Sequence, residues 1–165
     1  MADGAYLLIE QLLRKESMLE ELLHLLEEEL YSLNELDVEK LESNAEKKKE
    51  LYALVASSTR DSRQVMARLA EEMGVAGAES LSLLLPKVPQ PERESLQVAQ
   101  KKLLELGKKV DQASLRNTNI LQGSLLAVNN SLEFFFRVFN RSTTYGDAGR
   151  MVGGATTPKL LRREA

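Results

Sequence analysis

Residues 115–149 read LRNTNILQGSLLAVNNSLEFFFRVFNRSTTYGDAG and contain every Phe of the 165-residue chain. The four side chains lie within six consecutive positions: Phe134, Phe135, Phe136 and Phe139. No Pro occurs between residue 92 and this cluster, so the pattern predicts one long helix that carries its Phe residues near its C-terminal end. A cluster of this kind needs cover, either from the protein's own core or from another protein.

Apolar residues recur at steps of three and four over most of the chain, which predicts an all-α fold. We expect an antiparallel bundle of three long helices at about residues 5–35, 38–73 and 92–141. The first of these helices carries a stripe formed by Ile9, Leu12, Leu19, Leu23, Leu26, Leu30 and Leu33. The stripe of the second helix is weaker, because Lys48, Thr59 and Ser62 fall on it.

Turn residues separate the predicted helices. The sequence NELD at residues 34–37 indicates a short turn, with Asp37 as N-cap of the second helix. Gly74 marks the end of that helix, and a short helical turn follows near residues 79–85. Three Pro residues between positions 86 and 91 end this turn and precede the third long helix. We expect residues 1–141 to form a single helical-bundle domain and residues 142–165 to be a flexible basic tail.

Asn117 lies where the apolar stripe of the third helix changes phase. The stripe steps by four from Ala113 through Asn117 and Leu121 to Leu125, which rotates the apolar side of the helix. A buried Asn at this position fixes the register or the oligomeric state of the helices. A half-exposed Asn at the edge of the stripe is the alternative.

The third helix is longer than its two neighbours. At about 1.5 Å per residue, it draws level with the first turn near Val128, so the residues beyond Val128 extend past the bundle. The apolar residues in this part are Leu132, Phe134, Phe135, Phe136, Val138 and Phe139. Such a patch indicates an interface, unless the tail folds back over it.

Composition excludes most classes of chemistry. The chain has no Cys and one His, His24, which stands between two Leu residues and is typical of the edge of a core. No nucleotide-binding or nucleophile-elbow motif is present. We therefore expect no enzymatic activity, no catalytic residue, no cofactor and no metal.

Charge and hydropathy argue against nucleic acid and membranes as partners. The net charge is −3 with both signs mixed along the chain. The apolar N-terminal segment is interrupted by Glu10, Gln11 and Arg14, which is typical neither of a signal peptide nor of a membrane span. The sequence predicts a cytoplasmic protein without membrane insertion, whose basic tail either increases solubility or contacts an acidic partner.

The three-helix layout, the segment LRNTN at residues 115–119 and the ending TTYGDAG at residues 143–149 resemble the FlgN-type flagellar export chaperones. The similarity extends over about residues 7–149. It implies a cytoplasmic, non-enzymatic helical protein that binds the amphipathic C-terminal helices of hook-filament junction proteins. Such a chaperone keeps these clients soluble and export-competent before the flagellar type III export machinery secretes them.

The resemblance also implies that the C-terminal helical region binds the client. The corresponding positions here are Leu121, Leu125, Val128, Leu132, Phe135 and Phe139, with Tyr145 as a further contact. The alternative is a structural, self-associating coiled-coil protein that buries its Phe cluster in a homo-oligomer.

Overall fold

The computed structural model describes residues 2–75, 77, 78 and 80–143, which are helical apart from short connections. Helix α1 spans Ala2–Glu35 and α2 spans Val38–Glu72. The short helix α3, Leu81–Leu84, continues into a 3-10 turn at Leu85–Lys87, and α4 spans Gln90–Thr143. The predicted all-α fold and its three long helices are confirmed. Tyr145 and the predicted tail beyond residue 143 lie outside the described residues.

The turn between α1 and α2 has the predicted cap. The Asp37 carboxylate accepts a hydrogen bond from the Lys40 backbone amide at 3.1 Å, which confirms Asp37 as the N-cap of α2. At the end of α1, the Asp37 amide donates a hydrogen bond to the Ser32 carbonyl at 3.0 Å, and Leu36 adopts a positive φ of 56°. Leu36 therefore occupies a left-handed position at which Gly is the usual residue.

Helix α2 ends at Glu72, just before the glycine that was predicted to stop it, Gly74. Gly74 has a φ of 68°, and the amide of Val75 donates to the Ala70 carbonyl at 2.9 Å. This pairing satisfies a carbonyl of the last helical turn, and it needs a residue that tolerates the left-handed conformation.

Contacts between residues divide the chain into two units, Met1–Leu121 and Gln122–Ala165. The first unit contains two apolar clusters; the three long helices contribute to both, and the connection before α4 contributes Leu85 and Val88 to one of them. One consists of Ala5, Leu8, Leu69, Leu85, Val88 and Leu96. The other consists of Leu19, Leu22, Leu25, Leu26, Leu51, Leu106, Val110 and Ala113. The start of α1 thus packs on the end of α2, and α4 runs parallel to α1. The expectation of one domain over residues 1–141 stays a prediction.

A more polar segment of α2 lies between the residues that α2 contributes to the two clusters. Thr59 and Ser62 each turn their hydroxyl back to a carbonyl of the preceding helical turn, at 2.8 Å. Ser58 is buried there as well. The weaker stripe of α2 therefore corresponds to a break between the two apolar clusters.

Asn117 joins the three long helices through a partly buried hydrogen-bond network. Its side chain is only 3% exposed, and its amide nitrogen donates to the Leu26 carbonyl at 2.7 Å and to Glu29 Oε2 at 2.8 Å. Lys48 of α2 donates to the other carboxylate oxygen of Glu29. Of the two alternatives for Asn117, the buried one is confirmed.

We expect Asn117→Ala to lower the free energy of unfolding by about 1–3 kcal/mol, because the Leu26 carbonyl and the partly buried Glu29 carboxylate each lose a hydrogen-bond donor. Urea denaturation followed by circular dichroism measures the change. The matched control is Asn119→Ala, an exposed Asn on the same helix, which should change stability by less than about 0.5 kcal/mol. Equal effects of the two substitutions would contradict a structural role for the network.

We expect Leu36→Gly to raise the free energy of unfolding by roughly 0.5–1 kcal/mol, because Gly adopts a positive φ without the steric cost that Leu bears. Little burial is lost, since Leu36 is 74% exposed. The control Leu54→Gly, at an exposed position inside α2, should instead lower stability by about 1 kcal/mol. Urea denaturation measures both changes. A lower free energy of unfolding for Leu36→Gly would contradict the backbone strain at Leu36.

Candidate protein-binding surface

The second unit presents an exposed apolar surface on α4. Asn117 is the last buried residue of α4 up to residue 140, and every residue from 121 to 140 is exposed. We use the name Phe surface for the exposed large apolar side chains between residues 122 and 140. These are Leu125, Leu126, Val128, Leu132, Phe134, Phe135, Phe136, Val138 and Phe139. The exposed stretch therefore begins earlier than the predicted start at Val128.

Five of the predicted contact residues belong to the Phe surface and follow a helical spacing of three and four. We call them the front row: Leu125, Val128, Leu132, Phe135 and Phe139. Because residues at this spacing lie on one side of a helix, α4 brings them together in a continuous row. Their exposed fractions range from 39% at Leu132 to 68% at Phe139. Leu121, the last residue of the first unit, is also exposed, and Tyr145 lies outside the described residues.

A second row lies beside the front row. It consists of Ala127, Ser131, Phe134 and Val138, again at steps of four and three, and we call it the side row. The rings of Phe134 and Phe135 join the two rows, with centroids 6.1 Å apart and planes inclined at 69°. This edge-to-face geometry is favourable for aromatic pairs. Sequence reasoning missed the side row, because it followed a single stripe, although the same spacing rule would have found it.

The opposite side of α4 in the second unit is mostly polar, and Leu126 is the large apolar residue that lies on it. Glu133 and Arg137 form an ion pair there at 3.7 Å, and Asn129 and Asn130 lie on the same side. The side-row hydroxyl of Ser131 donates to the Ala127 carbonyl at 3.0 Å, so its proton is satisfied within the helix. The Phe surface thus offers shape and apolar area rather than charge.

The first unit has an apolar groove between α1 and α4, with walls that include Ile9, Leu13 and Val98. Lys102 lines this groove and pairs with Glu16, which also lines it, and with Glu20 at 3.4 Å. The hydrogen bond to Glu16 raises the pKa of Lys102 above its usual value. Since charged groups form part of its lining, the groove is less apolar than the Phe surface.

His24 is exposed on α1 rather than at the edge of the core, with Nδ1 3.6 Å from Oε1 of Glu28. Within residues 2–75, 77, 78 and 80–143, no three His, Cys, Asp or Glu side chains come together as a metal site. None of the helices over these residues combines the length and apolar character that crossing a bilayer requires.

Comparison with known proteins gives one informative match. Residues 4–153 match the family described as FlgN protein, as the sequence resemblance predicted. The search of curated proteins and the search of solved structures gave no match. The matched range includes both the helical bundle and the Phe surface. Because this match covers most of the 165 residues, the chain belongs to the FlgN family of flagellar export chaperones.

Proposed function

We propose that this protein is a cytoplasmic chaperone for hook-filament junction proteins. It binds their C-terminal helical segments and keeps them soluble and export-competent until the flagellar type III export machinery receives them. Family membership supports the general role in flagellar export. The observation that carries the proposal is the exposure of the Phe surface, because a chaperone must present apolar area that its client can cover.

The size of the Phe surface fits this role. Its four Phe side chains are between 46% and 68% exposed. At 150–250 Å² for a whole aromatic side chain, they offer about 400 Å² of apolar area. The exposed Leu and Val residues add a similar amount, which brings the total to roughly 800 Å², the contribution of one partner to a standard protein interface. The largest apolar patch of a typical monomer is smaller, at about 300–600 Å².

The proposed contacts are Leu121 and the front row, and Tyr145 stays a predicted further contact. An amphipathic client helix would place its own apolar stripe along them, as in other helix-and-groove complexes. A client segment that folds on binding loses conformational entropy at that moment, so its affinity is moderate for the area buried. Moderate affinity suits a chaperone that must release its client for export.

Self-association through the same surface is the second candidate function, since a homo-oligomer would also bury the exposed Phe side chains. Light scattering on the purified protein separates the two. A monomer, or a dimer that dissociates when client is added, supports the chaperone. A stable oligomer that ignores the client and dissociates on Phe135→Asp supports a structural protein.

We expect Phe135→Asp to weaken binding of a hook-filament junction protein's C-terminal segment at least about 30-fold, the effect of losing a central aromatic contact. The matched control is Leu104→Asp, because Leu104 lies on the same helix and is 62% exposed but belongs to the first unit. Co-purification detects the complex, and calorimetry measures its dissociation constant.

Leu104→Asp should bind the client like the unmodified protein. If Phe135→Asp also binds normally, the proposed site is wrong. If the unmodified protein does not bind these segments, the proposed function itself is wrong.

A further inference from the structure

We infer that a cavity between α1 and α2 binds a carboxylate, supplied by an acidic side chain of a peptide. The cavity lies close to the turn that joins the two helices and has a volume of about 360 Å³. We call it the turn cavity. Its lining includes Glu28, Tyr31 and Ser32 of α1 and Lys40, Asn44 and Lys47 of α2. All of these residues belong to the first unit, so the site is distinct from the Phe surface.

The buried part of the turn cavity contains an amide without a partner. Asn44 is 7% exposed, and its side chain makes no hydrogen bond within residues 2–75, 77, 78 and 80–143. Ser32 is 1% exposed and donates to the Glu28 carbonyl at 3.0 Å, so its proton is satisfied within α1. A buried amide that lacks a partner is costly. Asn44 therefore offers a hydrogen-bond donor to a group that enters the cavity.

Lys47 provides a positive charge beside this amide. Its ammonium group has no ion pair with the part of the chain that the structure describes. The neighbouring Lys48 is different, because it pairs with Glu29. Lys40, the other cation of the lining, lies 3.6 Å from the Asp37 carboxylate. Lys47 is thus the cation that a negatively charged ligand would neutralise.

The other charges near the turn cavity favour a ligand with a single negative charge. Glu28 lines the cavity from α1, and it would repel a phosphate dianion more strongly than a carboxylate. At about 100° per residue, Glu39, Glu42 and Glu46 lie on the other side of α2, so they do not compete for Lys47. A carboxylate at Asn44 and Lys47 accepts hydrogen bonds from both side chains.

The size and openness of the turn cavity favour a side chain of a peptide over a free small molecule. Its volume is at the lower end of the range of about 300–1,000 Å³ found for sites that enclose small molecules. Tyr31 in the lining is 62% exposed. The cavity therefore encloses an end group, and the rest of the ligand lies outside it, beside Tyr31. Tyr is enriched at protein interfaces, which suits contact with a peptide.

Nuclear magnetic resonance titration of the full chain tests the site. The probes are a six-residue peptide with blocked ends and a single Glu, the same peptide with Gln instead, succinate, and inorganic phosphate. The variants are Lys47→Gln and Asn44→Leu. The matched control is Lys49→Gln, because Lys49 is exposed on the same helix and does not line the cavity. Circular dichroism checks that each variant keeps its helicity.

We expect the Glu peptide to shift the amide signals of residues 31–47, and the Gln peptide to leave them unchanged. Lys47→Gln should weaken binding about threefold, the effect of losing an exposed ion pair. Asn44→Leu should weaken it at least about tenfold, because a hydrogen bond to a charged acceptor is lost. Lys49→Gln should bind like the unmodified protein.

The inference is overturned if the Glu peptide leaves these signals unchanged, or if Lys47→Gln and Lys49→Gln have equal effects. Tighter binding of phosphate than of the Glu peptide would overturn the carboxylate as ligand. Binding of succinate as tight as that of the Glu peptide would overturn a peptide as its source. These results do not bear on the proposed function, because the substituted residues lie outside the Phe surface.

Discussion

The buried amide of Asn117 sets the register of the three long helices. It donates to the Leu26 carbonyl and to Glu29, and Glu29 in turn accepts from Lys48, so one network links α4, α1 and α2. Moving α4 by one turn would separate buried polar groups from their partners, and each unsatisfied group costs about 1–3 kcal/mol. Apolar packing alone tolerates such shifts better, because one Leu can replace another along a stripe. The network therefore favours the register in which Asn117 is buried between α4 and α1.

Helix α4 lies in two different environments along its length. Up to Asn117 it contributes a narrow stripe to the core of the first unit, and from residue 121 to 140 it is exposed. Exposed Phe side chains favour aggregation, so a chain that needed only a stable bundle would gain from polar residues at these positions. Departures from good folding rules are expected at functional sites. Under the proposed function, client binding is the reason for the departure at the Phe surface.

Local signals in the sequence were enough to predict the three long helices and where they end. Apolar spacing, the cap at Asp37 and the glycine at Gly74 act within a few residues, so they predicted the three long helices closely. The burial of Asn117 stayed open, because it depends on the position of α1. The start of the exposed stretch was predicted too late. Helix lengths alone do not reveal that Leu85 and Val88 of the connection pack into a core cluster and help to set the position of α4. The side row and the positive φ of Leu36 were missed.

Hydrogen exchange of the free and client-bound protein, followed by mass spectrometry, tests most directly whether α4 has one part buried in the first unit and another part that the client covers. The account predicts that amides of residues 96–117 are already protected in the free protein. Amides of residues 122–140 should exchange quickly in the free protein and become protected when the client segment is added. Protection that appears on α1 and α2 instead, with no change over residues 122–140, would contradict the account.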